Sequence, residues 1–67
     1  MIKWSDLIDR NLDVVKDFAE GEISGRDFYL NFRGRPNNAR QLVRSRGVSE
    51  SRTLAKKALR RRGITVG

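Results

Sequence analysis

Apolar side chains recur at helical spacing along most of the chain. Placed 100° apart, Trp4, Leu7, Ile8, Leu12, Val14, Val15, Phe18 and Ala19 fall on one arc, and Asp6, Asp9, Asp13, Asp17 and Glu20 fall on the opposite one. The spacing predicts one amphipathic helix over 5–20, with Ser5 or Asp6 to cap its start and Gly21 to end it. Ser24, followed three residues later by Asp27, has the form of a capping box and predicts a second helix over 24–33, with Phe28 and Phe32 one above the other. The same stretch also alternates, Phe28, Leu30 and Phe32 against Tyr29 and Asn31, which is strand spacing. The cap and the lack of a good partner strand favour the helix. Gly34 and Pro36 stop that segment.

Asn37 or Asn38 is placed to cap a third helix, 38–46, with Leu42 and Val43 inward and Gly47 at its end. Ser49 is placed to cap a fourth, 49–62. There Leu54, Ala55, Ala58 and Leu59 share one arc, joined by Val48, and Arg52, Lys56, Lys57, Arg60 and Arg61 fill the other side. Gly63 with Ile64 fits a Schellman end, and Ile64-Thr65-Val66 reads as a short strand or a docked tail. The expected fold is all-α: a small single domain, 1–67, of about four helices whose last two form a hairpin.

Charge divides this domain in two. Residues 1–32 carry four cations against seven carboxylates, a net −3, whereas residues 33–67 carry eleven cations against Glu50 alone, a net +10. Such an excess repels itself, so it is better explained by an external polyanion than by folding. Eleven of the fifteen cations are Arg, whose planar fork suits phosphate and guanine edges. The chain has no Cys and no His. That removes disulfides, thiolate or imidazole metal ligands and the usual general base. No nucleophile–base pair or phosphate-cradling glycine loop is visible either, so the chain reads as a non-enzyme without metal or cofactor. No apolar run approaches a membrane span, and a cytoplasmic setting is expected.

Two segments bear on function. The first is helix, Gly47-Val48-Ser49, helix, which resembles the helix-turn-helix of DNA-binding regulators. That resemblance implies that Gly47 permits the turn, Val48 plugs between the helices and Ser49 caps a recognition helix. Glu50, Ser51, Arg52 and Thr53 would then face base edges, with Lys56 one turn on, while Lys57, Arg60 and Arg61 meet phosphates. The open alternative is a plain helical hairpin with a solvated basic face. The second segment, Arg33-Gly34-Arg35-Pro36, resembles the core of the AT-hook and the minor-groove arm of DNA invertases. The resemblance implies an extended arm, Gly34 pressed into the groove and Arg33 and Arg35 answering its negative potential. The open alternative is a helix stop followed by a turn.

The function expected from these residues is a small DNA-binding protein with an accessory or regulatory role, of the kind phages and mobile elements encode. Its candidate contacts are Arg33, Arg35, Arg40, Arg44, Arg52, Thr53, Lys56, Lys57, Arg60 and Arg61. The alternative is a protein-interaction module that presents Asp6, Asp9, Asp13 and Asp17 to a basic partner, and the third reading is an RNA-binding protein. A homodimer is compatible with all three.

Overall fold

In a computed structural model, which describes Lys3 to Val66, the chain forms five helices: α1 (Trp4–Arg10), α2 (Leu12–Ala19), α3 (Gly25–Leu30), α4 (Pro36–Arg46) and α5 (Val48–Arg61). The described residues contain no strand, so the chain is all-α and residues 28–32 are not a strand. The helix count differs from the four expected. The single helix predicted over 5–20 is two helices, and the break falls at Asn11.

Asn11 breaks the helix because its side chain does what its backbone would have done. Its main-chain N–H bonds Ile8 O at 3.0 Å rather than Leu7 O. Leu7 O instead accepts from Asn11 Nδ2 at 2.8 Å. Asn competes with helix in this way because its amide reaches nearby backbone groups. The rest of the side chain looks outward along the sequence: Nδ2 also donates to Arg33 O at 3.0 Å, and Oδ1 accepts from Arg33 N at 2.6 Å. Asn11 is wholly buried, and these bonds leave none of its polar atoms unpaired.

The core forms where α2 packs on α5 and α3 packs on α4, with α4 also against α5. Leu7, Val14, Val15, Phe18, Ala19, Phe28, Phe32, Ala39, Val43, Ala55 and Leu59 are buried in one cluster. Phe18 stacks on Phe28 at 4.2 Å, Phe28 meets Phe32 edge-on at 5.4 Å, and Trp4 leans on Phe32 at 6.0 Å. Such pairs add to plain area burial. The helical arcs read from sequence supply nearly all of this cluster.

Boundaries follow the caps, with shifts. Ser24 Oγ accepts from Asp27 N at 3.1 Å and caps α3, as expected, but that helix ends at Leu30 rather than 33. Pro36 does not only stop the preceding segment; it is the first residue of α4, where its missing N–H costs nothing and its φ is already helical. Lys3, not Ser5 or Asp6, precedes α1, and Gly47, not Ser49, precedes α5; neither makes a side-chain cap. The Schellman end is present: Gly63 N bonds Arg60 O and Ile64 N bonds Leu59 O, both at 3.0 Å. Ile64 and Val66 then pack on the core as a tail.

Candidate nucleic-acid interface

The basic half separates into cations bonded to groups of the fold and cations left without an ion pair among the described residues. Arg52 is held. Three residues before Ala55 and seven before Leu59, it sits on the border of the buried face of α5. Its Nε donates to Phe18 O at 3.1 Å, one Nη donates to Ile23 O at 3.1 Å, and the guanidinium lies 5.2 Å from the Phe18 ring centroid. It therefore satisfies the carbonyl end of α2, where the helix dipole favours a cation. Arg52 does not project toward a base edge as the recognition-helix reading required.

Its neighbours are spent as well. Ser51 is buried and donates to Gly47 O at 2.6 Å. Glu50 pairs with Arg46 at 3.1 Å across the turn. Thr53 is exposed, with its hydroxyl on Ser49 O at 3.2 Å. The turn itself is one residue, Gly47, rather than Gly47-Val48-Ser49.

Arg33 is held too. Its guanidinium takes Asp13 in a two-bond fork, at 3.2 and 3.0 Å, and reaches Arg10 O at 3.3 Å. That fork holds the Asp13 carboxyl below its ordinary value of 3.8, chiefly through the hydrogen bond from Arg33. With both its N–H and its C=O on Asn11, and with Gly34 at φ +93°, the Arg33-Gly34-Arg35-Pro36 segment is a turn folded into the domain. The extended free arm expected from the resemblance is not what the chain forms. Arg35 is the exposed residue at the start of α4.

Arg62, which the helical arcs did not place, is a third staple. It lies seven residues after Ala55, so periodicity sets it beside the buried face. Its Nε pairs with Asp9, one Nη donates to Ala58 O and the other to Ser5 O, both at 2.9 Å. The expected acidic stripe is thereby divided. Asp9 and Asp13 neutralise arginines of the same chain, and only Asp6 and Asp17 of the four remain exposed without an ion pair among the described residues.

Seven cations are left: Arg35, Arg40, Arg44, Lys56, Lys57, Arg60 and Arg61. All are exposed, and none has a carboxylate partner among the described residues. Arg40 and Arg44 lie one turn apart on α4, flanked by Asn37 and Gln41. Lys56 with Arg60, and Lys57 with Arg61, do the same on the last two turns of α5. Each such like-charge pair costs a helix about 0.2–0.5 kcal/mol. The placement in the last turns of α5 recovers part of that cost from the helix dipole. Lys56 and Arg60 also line a groove with Gly63 to Val66. No family model, curated protein or solved structure matches the chain. Among the described residues no helix is long and apolar enough to cross a membrane.

Proposed function

We propose that the protein binds duplex DNA through its phosphates, without reading base sequence. One observation carries this: Arg52, the one cation in the first two turns of α5, is turned inward and Glu50 is paired, while seven other cations stand exposed and without an ion pair among the described residues, from the start of α4 onward and on the last turns of α5. Phosphate contacts supply affinity and position; only base-edge contacts supply sequence. Duplex is favoured over RNA because specific RNA recognition stacks unpaired bases on aromatic rings. Phe18, Phe28 and Phe32 are buried, Tyr29 is half-buried, and Trp4, the one exposed ring, leans on Phe32, so the chain offers no row of exposed rings for unpaired bases.

The test is a salt titration of binding by fluorescence anisotropy, on two duplexes of unrelated sequence and a structured RNA. If about six of the seven cations meet phosphates, log affinity falls against log salt with a slope near −5. The two duplexes are expected to bind within about tenfold of each other, far from the ~10³–10⁷ ratio of sequence readers. Replacing Lys56 and Arg60 by Ala flattens the slope by about two contacts. A slope near zero, or RNA bound much tighter than either duplex, rejects the reading.

A further inference from the structure

An apolar groove opens between α1, α4 and α5. Trp4 and Ile8 of α1 form one wall, Leu42 and Arg46 of α4 a second, and Leu54 and Ala55 of α5 a third, enclosing about 270 Å³ above the Phe32 ring. Trp4 is 40% exposed at its mouth, although it is the largest side chain in the molecule and the only Trp. Arg62 ties α1 to the end of α5 through Asp9 and Ser5 O, while no hydrogen bond or ion pair among the described residues ties α1 to α4. Pockets for small molecules run roughly 300–1,000 Å³. This one is smaller and holds one or two side chains.

We infer that this groove is a docking slot for an acidic amphipathic helix of another protein. The inference does not rest on DNA binding, although Lys57 and Arg61 belong to both surfaces. The rim sets the charge of the partner. Arg46 lines the slot; Lys57 and Arg61 follow Leu54 by three and seven residues and so share its side of α5; Lys3 precedes Trp4. Glu50 also follows this side of α5, and it and Arg46 offset each other, so the net positive charge of the rim comes from Lys3, Lys57 and Arg61. The walls set the conformation. They are helices, with no sheet edge among the described residues to add a strand to, so a helix laid in the groove is the available mode. Two apolar anchors one turn apart would fill it. A second copy of the chain is disfavoured, because a two-fold seam at this groove brings together two rims of the same positive sign.

Trp4 makes the test direct, since its emission reports on the slot in the full chain. The probe is a stapled helical peptide with two Leu one turn apart and Glu on both flanks. Beside it stand the same peptide with Lys for Glu and a third with Ser for both Leu. The acidic peptide is expected to shift Trp4 emission to shorter wavelength, and both controls to bind at least about tenfold more weakly. Leu54→Gln weakens the acidic peptide with helical circular dichroism retained. Arg46→Glu, which leaves the groove wall apolar, weakens the acidic peptide and strengthens the Lys peptide. Equal binding of the acidic and Lys peptides, or no Trp4 response to either, overturns the inference. So does a concentration-dependent dimer in sedimentation that Leu54→Gln abolishes, because the occupant would then be a second copy. Duplex binding is read separately by its salt slope, so either reading can fail alone.

Discussion

Asn11 and Arg52 are polar residues that hold the fold by giving bonds to distant backbone. Removing Asn11 with Ala leaves Arg33 N–H and Leu7 O without their partners, a cost of about 1–3 kcal/mol for a buried polar group left unpaired. A chain of this length has roughly 3–10 kcal/mol of total stability, so Asn11→Ala is expected to lower the urea midpoint visibly or unfold the protein. Arg52→Ala loses two carbonyl bonds and a ring contact. It is expected to lower stability by about 1.5–3 kcal/mol while leaving the salt slope of DNA binding unchanged. Equal loss of DNA affinity and stability would put Arg52 back at the interface. Asp13 offers a pH test. Its native carboxyl sits below 3.8, so its contribution is present above that range and is lost as pH falls through the lowered native value. An NMR acid titration should find that lowered value and see it return toward 3.8 in Arg33→Gln. Sequence placed Arg52 and Arg33 among surface cations because it counted charge, yet helical spacing from Ala55 and Leu59 already set Arg52 at the edge of the core. Asn11 carried a fainter signal, a poor helix former at the centre of a periodic run.

At the scale of elements, periodicity made the helices legible and caps made their ends only partly so. Every predicted helix has a counterpart, because each apolar arc needs burial to exist. What periodicity could not show was a break made by the Asn11 side chain on Leu7 O and held by two further bonds to a residue twenty-two positions away. The α4–α5 corner is the sharpest local constraint. Gly47 has φ 85° and ψ 160°, a backbone region essentially reserved for glycine. A Cβ there meets nothing within 4 Å, so the penalty is purely conformational. Gly47→Ala is therefore expected to cost about 1–3 kcal/mol, measured by thermal or urea unfolding. A D-Ala at the same position, introduced by synthesis, should cost much less. An equal cost for both would mean the corner is limited by packing.

For the whole molecule, size sets a stoichiometry. The chain measures 26 × 25 × 18 Å between Cα atoms. At 3.4 Å per base step, one copy covers about eight base pairs of duplex. Binding without sequence preference should then saturate in proportion to length, with about three copies on a duplex of about 24 base pairs. Saturation at one copy on that duplex would point to a preferred site. The charge split of the sequence foretold a basic half, but not that Asp9 and Asp13 would be spent on Arg62 and Arg33. Side-chain pairing across a fold depends on which elements meet, and charge counts along a chain do not contain that.

The contact between Asn11 and residue 33 has a consequence for the order in which the chain is made. During synthesis residues 3–20 emerge before residue 33 exists. With no Arg33 backbone to answer it, the Asn11 amide has only its own turn to bond, and the apolar arc runs unbroken from Trp4 to Ala19. The bond to Leu7 O is local and stays available, so the segment is expected to sample helix across position 11 beside the broken form, and residue 33 fixes the break into α1 and α2 when it arrives. A synthetic peptide of residues 3–20 should show helical contacts running across position 11, and the full chain should lack them.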